Sequence, residues 1–191
     1  RFFRVRMTGP NSNRHHYLAL AGIELYGQLE APGQSGQSSP PSPTPAGPTI
    51  FTRQSDFDQN GIIHHLGGSA VTVTASSVMH DSRPPAELLD RKTLRFSTKP
   101  MPNSWVMFDF GQRRVRPSHY TLRHYSTWDT EALRNWVFEG SNDGTSWDSL
   151  RIHQDDGALK AKGATHSWVA DQPANAAGYR YLRIRMTGRN S

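Results

Sequence analysis

The sequence predicts an all-β protein, an antiparallel β-sandwich of the jelly-roll type, and three observations carry that expectation. Apolar and polar residues alternate with a period of two, as in "RYLRIRMTG". There Leu182, Ile184 and Met186 share one face while Tyr181, Arg183, Arg185 and Thr187 share the other. Such alternation marks a strand with one buried face. Turn residues punctuate the patterned segments, and only "PPAELLDRK", Pro84 to Lys92, hints at a short helix. Many short strands separated by turns favour a sandwich or jelly roll.

In chain order, residues 1–27 form a short patterned piece that ends in "HHYLALAGIELYG". The next stretch, Gln28 to Pro48, holds six of the thirteen prolines and almost nothing that could enter a core, so it reads as a flexible linker. From Thr49 onward the chain alternates like a β-protein. "VTVTASS" is rich in β-branched residues, which suit a pleated surface. "SWVMFDFG", Ser104 to Gly111, and "HYTLRHYS", His119 to Ser126, follow as strands joined through Arg113 to Pro117. "NWVFEGSNDGTSWDSLRIH" reads as a hairpin, because Asn142-Asp143-Gly144 supplies positive-φ residues between two apolar runs.

These segments carry a resemblance. "SWVMFDFGQRRVRPSHYTLRH", "ALRNWVFEGSNDGTSWDSL", "YRYLRIRMTGRNS" and "HHYLALAGIELYG" are similar to the strands of an F5/8 type C module, the discoidin-like or galactose-binding-like sandwich. The likeness is closest to the intracellular branch found beside BTB domains and HECT-type ubiquitin ligases, whose opening segment "FDQNGIIHHLGG" resembles. One departure stands out. In that family "GIELYG" is the last strand and follows "RMTG", whereas here it stands near the front.

A repeat accounts for the departure. Residues 1–12 and 180–191 align at an offset of 179 with eight identities in twelve positions, too many for two arginine-rich strands that merely look alike. Residues 1–27 are therefore expected to be the ending of one module, 28–48 a linker, and 49–191 a second module without its own last strand. A sandwich lacking that strand leaves unpaired backbone groups, expected here beside "RIRMTG". Residues 15–27 are the natural filler, giving a circularly permuted or strand-complemented sandwich within one chain, or a strand-exchanged dimer between two. Either copy of the duplicated strand, 1–9 or 180–188, fits the shared place.

Composition narrows the function classes. The formal charge is +6, but the arginines are scattered and no basic run points to nucleic acid. No cysteine is present, so neither disulfides nor thiol chemistry enter, which fits a reducing intracellular setting, cytoplasmic or nuclear. No apolar run reaches membrane-spanning length. "DFDQNG", Asp56 to Gly61, matches the first half of a calcium loop, but the bidentate glutamate due at its twelfth position is Gly67, which argues for a plain turn. His15-His16 and His64-His65 would point apart on a strand and so do not predict a metal site. Neither a nucleophile elbow nor a phosphate loop appears, and Asp155-Asp156 reads as a solvated turn. No catalytic residue, metal or cofactor is expected.

Binding is what remains. Trp105, Trp136 and Trp147 lie in or beside strands and are expected in the core. Trp128 sits in the loop "YSTWDTEALRN", where an exposed ring could serve as a ligand platform. The family resemblance implies that Arg123, at the end of its strand, reaches toward a loop-lined site, where its fork could hold a carboxylate or a diol. Arg123, His124, Trp128, Arg134, Arg189 and Asn190 are the expected site, gathered at one end of the sandwich. The arginines on polar strand faces otherwise read as solvated surface. The resemblance implies a non-catalytic module for a protein or peptide partner, in a ubiquitin-ligase or BTB-adaptor protein. The alternative is a module for carbohydrate, phospholipid or another anionic ligand.

Overall fold

Two strands with opposite demands set the layout. "YLRIRM" alternates and needs one covered face, whereas "GIELYGQLE" has apolar or bulky side chains on both faces and needs two. The computed structural model describes residues 16–32, 47–171 and 177–188. The elements are β1 (Ala19–Leu20), β2 (Gly22–Glu30), β3 (Thr49–Phe51), α1 (Ile62–Leu66), β4 (Thr72–Ala75), β5 (Phe96–Ser97), β6 (Trp105–Asp109), β7 (Arg114–Arg123), β8 (Trp136–Ser141), β9 (Asp148–His153), β10 (Thr165–Val169) and β11 (Tyr181–Met186). They form a four-stranded sheet in the order β10-β7-β2-β3, a five-stranded sheet in the order β4-β6-β11-β8-β9, and a small β1-β5 pair. Every strand pairing described is antiparallel.

The core lies between the two large sheets. β2 and β7 contribute Ile23, Leu25, Tyr120 and Leu122, and β6, β8 and β11 contribute Val106, Phe108, Phe138, Leu182 and Ile184. Contact across the sandwich is direct, with the Tyr120 and Phe138 ring centroids 4.2 Å apart. Burying aliphatic and aromatic side chains of this size is worth about 1.5–3 kcal/mol each, so these rows dominate the favourable side of folding.

β2 is an interior strand of its sheet. It pairs with β7 from Gly22↔Arg123 to Glu30↔Arg114 and with β3 on its other edge. Its backbone breaks register between Tyr26 and Gly27, where Gly27 has φ +139° and a Cβ would lie 2.2 Å from the Arg116 carbonyl oxygen. Only glycine fits that bulge. β2 continues through Gln28, Leu29 and Glu30, three residues beyond the expected boundary at Gly27. The sequence reading put the vacant place beside "RIRMTG". The structure puts β2 in the opposite sheet, because β6 and β8 already occupy both edges of β11. The other strand of the repeat, 1–9, and most of the linker lie outside the described residues.

The outer face of β2 is covered rather than wet. Residues 53–66 return across it: the Tyr26 hydroxyl donates to the Ser55 carbonyl at 3.2 Å, and Glu24 receives the start of α1. His64-His65, read from sequence as strand neighbours, sit exposed in α1. The stretch expected as a short helix forms a 3₁₀ turn, Pro85–Leu89. Proline at its start suits the missing amide donor.

Candidate functional site

The end of β7 and the loop after it make the most distinctive surface. Leaving β7, His124 is wholly buried, and its ring Nε2 lies 3.1 Å from the Trp128 carbonyl oxygen. A carbonyl only accepts, so Nε2 carries a proton. The buried Nδ1 has no hydrogen-bond partner. Burial pushes the His124 pKa down to about 4, against the pull of the Trp128 carbonyl bond. The imidazole therefore works as an uncharged peg under the loop backbone at Trp128 and Thr130.

That peg presents Trp128 outward. The indole is 57% exposed, whereas Trp136 is fully buried and Trp168 nearly so. It borders a cleft of about 260 Å³ together with Tyr17, Arg95, Ser97, Tyr125 and Glu131. Arg95 is ion-paired with Asp81 on the cleft wall, and Glu131 adopts a left-handed backbone, φ 65°. Lys162 Nζ stands 6.0 Å from the Trp128 ring centroid, at the outer reach of a cation–π contact. A flat apolar ring beside carboxylate, guanidinium and hydroxyl groups can grip either an apolar side chain with polar neighbours or a sugar face.

The other expected residues occupy different places. Arg123 ends β7 on the outer face of the four-stranded sheet, where its guanidinium lies 4.3 Å from the Phe57 ring centroid and donates to the Arg91 carbonyl at 2.8 Å. Adjacent strand residues point to opposite faces, which separates Arg123 from His124. Arg134 is ion-paired with Asp155 at the β9 exit. The structure thus brings His124 and Trp128 into contact and leaves Arg123 and Arg134 outside the cleft lining. Arg189 and Asn190 lie outside the described residues.

Several ionic constellations were not legible in the sequence. Glu24, fully buried on β2, accepts from the amides of Leu25 at 2.9 Å, Ile63 at 2.8 Å and His64 at 3.1 Å, and from Arg91 at 2.6 Å. Arg91 also donates to the carbonyls of Phe57 and Asp58, so one guanidinium ties the turn to β2. The "DFDQNG" carboxylates are already engaged: Asp58 accepts from the amides of Gln54, Ser55 and Asn60 within the turn, and Asp56 accepts from Arg53 and from Ser167 on β10. On the far sheet Glu139 holds Arg183 at 2.5 Å and Arg185 at 2.7 Å, with Arg183 only 3% exposed under the Trp147 ring. This corrects the reading of the polar face of "RIRM" as solvated surface.

A buried chain runs from the Tyr120 hydroxyl through His153 to Asp156, which also accepts from Trp168 Nε1 at 3.0 Å. Trp136 stacks on His153 at 3.9 Å, and the Tyr120 and His153 side chains are sealed from solvent. Burial pushes the His153 pKa down despite its bond to Asp156. The chain braces β7, β9 and β10 against one another rather than facing a substrate. Among the described residues, no group of three or more His, Asp and Glu side chains is placed to hold a metal ion, and no helix is long and apolar enough to cross a membrane.

The F5/8 type C domain family matches residues 72–191. Among curated proteins, an E3 ubiquitin-protein ligase Ufd4 of Drosophila melanogaster is 34% identical over 164 residues, 75% of this chain and 6% of the ligase. The E3 ubiquitin-protein ligase hecd-1 of Caenorhabditis elegans is 32% identical over 153 residues, 72% of this chain and again 6% of the ligase. A BTB/POZ domain-containing protein of Arabidopsis thaliana is 28% identical over 153 residues, 70% of this chain and 19% of that protein. The chain thus spans only a small part of these relatives. Among solved structures, a Clostridium perfringens module in complex with GalNAc-beta-1,3-galactose superposes with TM-score 0.50 at 15% identity, covering 64% of this chain and 87% of that one. At that identity the likeness establishes the β-sandwich fold.

Proposed function

The chain belongs to the F5/8 type C domain family, and from that premise we propose that it is a non-catalytic module recognising a protein or peptide partner through the Trp128 end of the sandwich. The observation that carries this reading is the exposed indole held out by a buried histidine, next to a cleft with charged walls. Evolved binding surfaces centre on such aromatic anchors ringed by polar groups. Trp128 is the platform and His124 its support. Arg123 steadies the root of the loop, Arg134 stands apart on Asp155, and Arg189 and Asn190 lie outside the described residues. The relatives' names support a setting inside the cell, as part of a ubiquitin-ligase or BTB-adaptor protein.

A second reading, glycan binding, is favoured by one observation: a flat exposed indole lies beside hydrogen-bonding groups in the Trp128 cleft, the arrangement that suits a sugar face. Selection of peptides from a displayed library, run beside a glycan array, separates the two. The protein reading expects peptides with micromolar affinity that weaken at least about tenfold in Trp128→Ala, a loss of roughly 1.4 kcal/mol. Array hits lost in the same variant would establish the glycan reading instead. Peptide and glycan binding that are both indifferent to Trp128→Ala would overturn the site.

A further inference from the structure

β11 fills a slot whose ion-pairing and glycine positions are repeated, residue for residue, in another segment of the sequence. Between β6 and β8 it is paired on both edges, Arg183 facing Met107 on one side and Glu139 on the other. Its inward side chains Leu182, Ile184 and Met186 are fully buried. Its arginines are also specific: Arg183 and Arg185 on the outward face clamp Glu139, while Arg180, just before the strand, makes two bonds to Asp109, at 2.8 and 2.9 Å. After the strand, Thr187 donates to the Asn135 carbonyl at 2.8 Å. Gly188 passes so close to Asn135 that a Cβ would lie 2.8 Å from its side chain.

At the offset of 179, Arg1, Arg4 and Arg6 stand where Arg180, Arg183 and Arg185 make those ion pairs. Phe3, Val5 and Met7 stand where Leu182, Ile184 and Met186 fill the core, and Thr8 and Gly9 keep the close passage past Asn135. The two copies agree at the positions the slot reads, the charged clamp and the glycine, and exchange one apolar residue for another in the core. Cores accept such swaps more readily than a lost charge partner.

Chain connection permits the same exchange. Met186 donates to the Ser104 carbonyl at 3.2 Å, and the Ser104 hydroxyl donates to the His16 carbonyl at 3.5 Å. The end of β11 and the entry of the N-terminal segment therefore meet at one residue. A strand ending at Met7 has residues 8–15 with which to reach His16, across a gap only Ser104 wide. Loops of that length close at small entropic cost.

We propose that the β6–β8 slot is a binding site for residues 1–9 of this same chain, which seat in the register of β11 and displace it. β11 remains the main occupant, because Tyr179 just before it pairs with Val115 and packs on Gly140. The exchanged form is the minority state of a two-state equilibrium.

Cysteine trapping tests the exchange, since the chain has no cysteine of its own. Directly opposed antiparallel residues suit a disulfide, with Cα separations of about 4.5–5.5 Å. Arg185 faces Val137, so Arg6 faces Val137 in the exchanged form. Under mild oxidation Arg6→Cys/Val137→Cys should form an intramolecular disulfide at monomer mass, confirmed by peptide mapping. Arg185→Cys/Val137→Cys is the positive control. Val5→Cys/Val137→Cys, one residue out of register and facing the other side, should not link. Ile184→Asp, which weakens β11, should raise the Arg6–Val137 yield at least about threefold, because the two strands compete for one place. A yield no greater than that of the Val5 pair would overturn the proposal. A link found only between chains would overturn it as well, and would assign the slot to a second copy.

Discussion

Replacing Glu24 with alanine is expected to remove the clasp that holds β2 to the turn above it. The carboxylate is fully buried and faces four donors, the amides of Leu25, Ile63 and His64 and the Arg91 guanidinium. Alanine orphans two fully buried amides, at about 1–3 kcal/mol for each donor left without a partner, less what entering water restores. It also strips Arg91 of its counter-charge. Arg91 is 27% exposed, so solvent screens part of that loss and holds it near 1 kcal/mol rather than the 3–5 of a sealed pair. The total is about 3–4 kcal/mol, which for a chain of this size lowers Tm by about 6–16 °C. Burial also pushes the Glu24 pKa above the usual carboxylate range, even though Leu25 and Arg91 oppose it, so much of the pair's attraction goes to offsetting desolvation. Glu24→Ala and Arg91→Met should therefore be strongly non-additive, with a coupling of about 1 kcal/mol or more. Urea and thermal unfolding of the parent, both single variants and the double variant give that cycle. A Glu24→Ala chain within 0.5 kcal/mol of the parent, or strict additivity with Arg91→Met, would refute the clasp.

Other perturbations have outcomes of defined sign. Gly61→Ala should destabilise by at least about 2 kcal/mol, because a Cβ there would lie 1.9 Å from the Glu24 carboxyl carbon; an unchanged urea midpoint would contradict that close approach. The His124 pKa of about 4 lies below the unfolded value of about 6.5, so the unfolded chain takes up the proton first. The stability due to the neutral ring is whole above pH 6.5 and drains away as pH falls to 4, by up to about 3 kcal/mol, with His153 adding in the same direction. Urea midpoints measured from pH 7 to 4.5 should fall steeply in the parent and less steeply in His124→Asn; parallel slopes would contradict the assignment. Arg123→Ala should cost about 1–2 kcal/mol, since its guanidinium holds the Arg91 carbonyl and lies on Phe57, whereas Trp128→Ala should stay within about 0.5 kcal/mol of the parent. A large Trp128 effect in thermal unfolding would make that ring structural.

The elements that follow a simple period were legible from the residues alone. Leu182, Ile184 and Met186 alternate with Tyr181, Arg183 and Arg185, and β11 buries the first set in the core between the sheets. The Asn142-Asp143-Gly144 turn joins β8 to β9, with Gly144 at φ 77° and the Asp143 carboxylate capping the amides of Thr145 and Ser146. Trp128 stood out because a tryptophan in an unpatterned loop has no strand face to bury it. By itself, then, the sequence determined which residues share a face, where the chain turns, and that two of its segments are copies. Only the tertiary structure decided which faces are covered a second time. Arg183 and Glu139 lie on the face that alternation marks as wet, yet Trp147 closes over the guanidinium at 3.4 Å. Glu24 alternates with Ile23 and Leu25 as a surface residue would, yet residues 53–66 and Arg91 return over it from far along the chain. Arg123 reads as a residue at the mouth of a site, yet Phe57 and the Arg91 carbonyl hold it on the outer sheet face. Periodicity is a local property of one strand, set by the pleat of its own backbone. What lies on the outer side of that strand is set by loops tens of residues away, and their return path is decided by the energy of the whole assembled sandwich.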